Sequence, residues 1–214
     1  MKLLECFSGT GSIGRAFRAA GWEVTSLDLD PKSGADIIAD ICTWEPPEGA
    51  HWDAIWFSPP CTEFSQALTS RPRRLEEGLK PARRCLELIE RLNPKVWWIE
   101  NPAALLPKQE GFRELPHHIV CYCKYNSPAN PTHPYRKRTW IATNCSWTPR
   151  PPCAKATPCE FLDENRRHPE CAQRGPVRCK EGLRGRAFSQ AQLYSMPHAL
   201  CDEIAEAATK AVSE

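Results

Sequence analysis

Residues 2–29, KLLECFSGTGSIGRAFRAAGWEVTSLDL, decide the fold. KLLEC (2–6) reads as a strand, and SIGRAFRAA (12–20) as a helix with Gly21 at its C-terminal cap. EVTSLDL (23–29) reads as a second strand. Between the first strand and the helix runs FSGTGSIG (7–14). Glycines there let the backbone approach a ligand, and a helix start offers free N–H groups. Asp28 stands 17 residues past Gly11, at the end of the second strand. An acid in that place can hold the two hydroxyls of a ribose, so an adenosine-containing cofactor is expected. A tight turn with no ligand is the competing reading.

Working outward, the alternation continues. Ala35–Ile41 carries a third short apolar run, and DAIWFS (53–58) a fourth strand that stops at Pro59-Pro60. KPARRCLELIERL (80–92) reads as an amphipathic helix ended by Asn93-Pro94, and KVWWIE (95–100) as a fifth strand. This predicts an α/β fold, a mostly parallel sheet with helices on both faces. Residues 118–125 and 137–143 look like a further pair of strands, and 198–213 like a closing helix. Residues 144–187 hold five cysteines and nine Lys/Arg without hydrophobic periodicity, and read as an inserted loop or small Cys-rich lobe.

Composition sets bounds. The 214 residues suit one domain with a small appendage, and 21 prolines imply much loop in the second half. A net charge of +2 neither demands nor excludes nucleic acid. No apolar run reaches 18 residues, so no membrane helix is expected. MKLLECFSGTGSIG enters a glycine loop at once, unlike a signal peptide. An intracellular location follows as an expectation (cytoplasm or nucleoid, or a nucleus), with the twelve cysteines mostly reduced.

Three motifs carry chemistry. Ligands in such sheets bind beyond the carboxyl ends of the strands. Cys61, in SPPCTEFS (58–65), would stand there on a stiff double-proline approach. A thiolate so placed is a nucleophile; a buried structural cysteine is the alternative. Glu100 ends the fifth strand behind Trp97-Trp98-Ile99, which could desolvate it and raise its pKa. Arg136 and Arg138, at i and i+2 in YRKRTWIAT (135–143), point the same way on a strand and suit carbonyl or phosphate recognition. A solvated acid and a charged strand edge are the bland alternatives.

Together and in this order, these pieces resemble the cytosine-5 methyltransferase family. LLECFSGTGSIGRAF resembles its first motif, SLDLDP (26–31) the second, Asp40-Ile41 the third, SPPCTEFS the Pro-Cys motif, IENP the Glu-Asn motif, YRKRTWIAT the Arg-x-Arg strand, and MPHALCDEIAEAA the closing segment. The resemblance implies a Rossmann-like class I methyltransferase fold that uses S-adenosylmethionine. By it Phe7, Ser8, Gly9, Thr10, Gly11, Ser12 and Ile13 form the cofactor loop. Asp28 holds the ribose, Leu29 lies on adenine, Asp40 and Ile41 stand near the adenine edge, and Pro60 adjoins the cofactor. Cys61 would add to cytosine C6, Glu100 would act at N3, and Arg138 with Arg136 would hold O2 of a flipped base. The resemblance divides the chain into a catalytic domain (1–143), a reduced target-recognition insertion (144–187) and a closing segment (188–214).

The chain departs from the family in places. Thr62 follows Cys61 where Gln is usual, Pro102 follows Glu100-Asn101 where Val is usual, and Pro134-Tyr135 replaces a Gln before Arg-x-Arg. The basic excess among Arg71, Arg73, Arg74, Lys80, Arg83 and Arg84, after Cys61, suits phosphate contacts. In the insertion Cys145, Cys153, Cys159, Cys171, Cys179 and His168 could hold a zinc ion, although no CxxC pair is present and free cysteines are the alternative. Cys121 and Cys123 read as strand residues that pack. DNA is the expected partner and RNA the lesser one; a targeting protein is compatible. The alternatives left open are an RNA cytosine-5 methyltransferase and a non-catalytic binder of the same fold.

Overall fold

The computed structural model describes residues 1–127, 129, 131–173, 177–179, 182–185 and 187–214, and for 177–179, 183 and 184 it describes the backbone. The helices are α1 (Ser12–Ala19), α2 (Leu75–Leu92), α3 (Gln190–Tyr194) and α4 (His198–Ser213). The first five strands are β1 (Lys2–Cys6), β2 (Glu23–Asp28), β3 (Ile37–Ile38), β4 (Ala54–Phe57) and β5 (Val96–Pro102). They are followed by β6 (His117–Cys121), β7 (Arg138–Thr143), β8 (Val177–Cys179) and β9 (Gly182–Arg184).

Seven strands form one sheet in the order β3-β2-β1-β4-β5-β7-β6. The β1 to β5 pairings are parallel, and β7 runs antiparallel to both β5 and β6. The central strands are apolar on both faces, as a doubly covered sheet requires. Leu3, Trp56 and Trp98 face one way, into a core shared with Phe17 of α1 and Leu200, Ile204 and Ala208 of α4. Leu4, Ile55, Phe57 and Ile99 face the other way, onto Leu79, Ala82, Cys85 and Leu88 of α2. The expected helix-covered, mostly parallel sheet is therefore present. Among the described residues no helix is long and apolar enough to cross a membrane.

Several elements differ from expectation. Helix α2 begins at Leu75, not at residue 80, and carries Pro81 inside it. The carbonyl that Pro81 leaves without an N–H partner belongs to Glu77, on the exposed face, where water can replace it. The strand expected over 118–125 stops at Cys121, and a 3-10 turn covers Tyr122–Tyr125. The β8–β9 hairpin lies where an inserted loop was expected, and the short α3 lies within the closing segment.

One buried acid supports the glycine loop from below. Glu5 is 2% exposed and lies against Gly14 at the start of α1, its Oε2 buried without a hydrogen-bond partner. A Cβ on Gly14 would stand 2.4 Å from Glu5 Oε2, so only glycine lets α1 approach β1 here. Burial outweighs the opposing pull of the Gly14 backbone and of Arg18 and Arg15, and lifts the Glu5 pKa from 4.5 to about 7. A carboxyl with a raised folded-state pKa favours the fold below its unfolded value, and that contribution is lost as pH rises from about 4.5 to about 7. At about 1.4 kcal/mol per pKa unit, the loss is on the order of 3 kcal/mol. Glu5→Gln keeps the acceptor without the charge. Thermal melts across pH should show the variant more stable than wild type at pH 8 and no more stable at pH 4; parallel curves would remove Glu5 from this role.

Candidate active site

The carboxyl ends of β1, β2, β4 and β5 meet on one edge of the sheet. Leaving β1, Phe7 (φ 59), Gly9 (φ 50) and Gly11 (φ 64) are all left-handed, which folds the chain tightly into α1. No side chain caps the α1 N-terminus, so its N–H groups stay available to a ligand. Asp28 braces the loop: its two carboxylate oxygens accept the Gly9 and Asp30 N–H groups, both at 2.8 Å. Each oxygen keeps a lone pair for a further donor. Leu29 beside it is 67% exposed, an apolar platform facing solvent. Ser12 joins this loop to the closing segment, because its hydroxyl accepts the Met196 N–H at 3.2 Å. Ser8 and Thr10 complete the turn, the Ser8 N–H reaching the Leu27 carbonyl and the Thr10 hydroxyl the Ser12 hydroxyl. The side chains of Ile13 and Ile41 belong to the two cores, so either could meet a ligand through its backbone alone. Asp40 is exposed and accepts the Cys42 N–H.

Strands β4 and β5 bring the Pro-Cys and Glu-Asn motifs side by side. Their last paired residues are Phe57 and Ile99. Two residues farther on each, the buried Asn101 amide donates to the Pro59 carbonyl at 2.9 Å. That bond fixes the backbone that turns through the exposed Pro60 to Cys61. Glu100 is 8% exposed, and burial raises its pKa, against Lys137 and the Tyr122 hydroxyl, which lower it. Burial also raises the Cys61 pKa; Glu100 adds to that rise and Lys137 opposes it. Cys61 and Glu100 therefore feel each other and share one cation.

That cation was not foreseen. The Arg-x-Arg pattern drew attention to Arg136 and Arg138, yet the side chain acting on both Cys61 and Glu100 is Lys137 between them. Lys137 is held by donating to the Leu193 carbonyl at 3.0 Å and by lying 4.6 Å from the Tyr122 ring centroid. Arg136 and Arg138 instead line a cleft of about 340 Å³ with Ser65, Gln66, Pro102, Ala103 and Ala104. Arg138 opens β7, whereas Arg136 and Lys137 precede the strand.

The segment after Cys61 is braced internally. Arg71 pairs with Glu63, and Arg73 donates to the Glu63, Ser65 and Leu68 carbonyls. Arg83 pairs with Glu76, and Arg84 with Glu45 and Glu87. These arginines make ion pairs and hydrogen bonds within the protein.

In the insertion the potential metal ligands are redistributed. Cys153, Cys159 and His168 come together with Cys123, their ligand atoms all within 4.8 Å of one another. Cys145 packs in the core beneath α4, with its sulfur 3.7 Å from the Ala207 carbonyl. Cys171 is outside the group. The Cys179 side chain lies outside the described residues. Cys123 was passed over because residues 121 and 123 share a face on a strand. The strand instead ends at Cys121, and the 3-10 turn re-aims the next residues.

Known proteins agree with this architecture. The Entamoeba histolytica methyltransferase EhMeth superposes with a TM-score of 0.58, at 11% identity, over 100% of this chain and 99% of its own. A Spodoptera frugiperda DNMT2 superposes at 0.54, with 14% identity over 100% and 99% of the two chains. A candidate DNA modification methyltransferase encoded within an E. coli prophage gives 0.51 at 15% identity over 67% of this chain, which spans 46% of that one. At these identities the likeness is one of fold, and the fold is that of the Rossmann-like methyltransferases. No protein-family model matches the chain. In sequence, the "Probable DNA (cytosine-5)-methyltransferase" of Frog virus 3 (isolate Goorha) is 31% identical over 222 residues, 95% of this chain and 98% of the viral protein. The chain belongs to the DNA (cytosine-5)-methyltransferase family.

The shared electrostatics of Cys61, Glu100 and Lys137 have a measurable consequence. Lys137→Met should raise the Cys61 pKa, and Glu100→Gln should lower it. Below both pKa values, alkylation by iodoacetamide changes by up to about tenfold per pKa unit. Peptide mass analysis of Cys61 alkylation against pH should therefore show the two variants displaced in opposite directions from wild type. Coincident profiles would contradict the coupling.

Proposed function

We propose that this protein transfers a methyl group from S-adenosylmethionine to C5 of cytosine in DNA through a covalent bond between Cys61 and C6. The observation that carries the reading is the Asn101–Pro59 bond, which holds a thiol-bearing strap against a buried carboxyl at the sheet's carboxyl edge. Family membership supports it. S-adenosylmethionine, when bound, supplies an electrophilic methyl group. The left-handed loop 7–13, the uncapped α1 N-terminus, Asp28 and the exposed Leu29 fit an adenosine ligand with a charged tail. Asp40, Ile41 and Pro60 complete that proposed set.

The reaction then assigns each group a task. Cys61, as thiolate, forms a bond to C6, and Glu100 gives its proton to N3, so that the electron pair is held at C5 as an enamine. Burial raises the Glu100 pKa, which favours the proton-bearing form that this step uses. Lys137 favours the thiolate before addition and the carboxylate after it. Arg138, with Arg136, holds O2 of the base from the cleft side. C5 takes the methyl group as its bond to the donor's sulfur breaks, leaving a neutral thioether; a base then removes the C5 proton, the Cys61–C6 bond breaks to return the thiolate, and N3 gives its proton back to the Glu100 carboxylate. Such a pocket admits a base only outside the helical stack, so the target is flipped.

Cys61→Ala should abolish turnover while leaving S-adenosylmethionine binding by calorimetry near wild type. Glu100→Gln should slow turnover by roughly 10²–10⁴-fold. Labelled methyl donor offered with duplex DNA, single-stranded DNA and tRNA, followed by nucleoside mass analysis, should yield 5-methyldeoxycytidine from DNA. Product confined to tRNA would move the substrate to RNA, and no product despite tight cofactor binding would leave a binding protein.

A further inference from the structure

Residues 144–173, the stretch of the insertion next to β7, contain neither helix nor strand. Its start is seated in the main core by Cys145 and Trp147; beyond them the buried cluster is Cys153 against Cys121 and Cys123, with Cys159 and Phe161 partly buried beside them. Thiols and one aromatic ring bury too little apolar surface to hold so long an irregular segment in place. Something else must hold it.

We propose that Cys123, Cys153, Cys159 and His168 bind one zinc ion that staples the insertion to the end of β6. Their ligand atoms all lie within 4.8 Å of one another, and Cys159 Sγ stands 3.1 Å from His168 Nε2. Zinc bonds of about 2.3 Å to sulfur and about 2.0 Å to nitrogen give tetrahedral ligand–ligand edges of roughly 3.5–3.8 Å, between those two distances. The three cysteines are free thiols. Three thiolates and an imidazole suit zinc and do not suit magnesium or calcium. Four protein ligands leave no open position, so the ion is structural.

The surrounding contacts converge on the same junction. Lys124 donates to the Pro158 carbonyl at 3.0 Å, and Arg150 donates to the Lys124 carbonyl at 2.9 Å. On the sheet side, Cys121 pairs with Arg138 at the start of β7. The zinc ion would thus fix the insertion beside the strand whose Arg136 and Arg138 line the cleft. A metal staple there takes the place of the core that a larger recognition domain would have. The inference is independent of the methyl-transfer reading, because the metal is counted without any assay of activity.

Full-length protein purified without chelator should contain about one zinc per chain by elemental mass spectrometry, as a closed four-ligand site requires. After exchange, cobalt should give the intense visible bands of a tetrahedral thiolate site. Cys123→Ser, Cys159→Ser and His168→Ala should each weaken metal binding by more than the roughly 10–100-fold that loss of an outer-shell partner costs. Cys145→Ser and Cys171→Ser should retain it. Chelation should open the insertion to trypsin while circular dichroism of the sheet persists, which separates loss of the staple from failure to fold. Metal-free protein without a tetrahedral cobalt spectrum would overturn the proposal, as would full metal retention in Cys123→Ser. A disulfide between Cys153 and Cys159 in the purified protein would overturn it as well.

Discussion

The site depends on the parallel pairing of β4 with β5 and on the hydrogen bond that extends it past the last ladder rung. Register sets Phe57 opposite Ile99, and the Asn101 amide then takes the Pro59 carbonyl. Two prolines leave this stretch no backbone N–H of its own for such a bond, so the neighbouring strand's side chain supplies the donor. Slipping the register by one residue would turn Asn101 away and bring Glu100 to the opposite face. The apolar runs that core packing requires on both faces therefore also align the thiol and the carboxyl.

Two buried acids share this edge, and burial acts on both in the same direction. Glu5 and Glu100 end up with raised pKa values, chiefly by desolvation. Their surroundings separate their roles. Glu5 lies beneath the start of α1, against Gly14. Glu100 stands beside a thiol and an ammonium, and in the proposed reaction its proton is put to use. The energetic cost of keeping both carboxyls out of water falls on the sheet, whose aromatic and aliphatic packing offsets it.

Much of this was readable in the sequence. Strands β1, β2, β4 and β5 show themselves as short apolar runs bounded by glycine or proline, and α4 by its period. Cys61, Glu100 and Asp28 draw attention because each ends such a run or stands a few residues beyond it. Lys137 does not, because its importance comes from neighbours distant in sequence, Cys61 and Glu100. Cys123 was missed for a local reason: a strand was extended past Cys121 where a 3-10 turn begins. The early start of α2 was hidden by Pro81, which reads as a helix opening and here lies in the interior. Where the pattern depends on the chain's own periodicity it was legible; where it depends on tertiary neighbours it was not.

The covalent role of Cys61 is the central claim, and a trapping experiment addresses it most directly. Duplex DNA carrying 5-fluorodeoxycytidine presents a C5 that can accept a methyl group but has no proton to release, so the Cys61–C6 bond, once formed, cannot break. Incubation with S-adenosylmethionine followed by denaturing electrophoresis and peptide mass analysis should find the DNA attached to the Cys61 peptide, and no attachment in Cys61→Ser. Methylation of ordinary cytosine with no adduct on the fluorinated base, or an adduct on another cysteine, would contradict the mechanism.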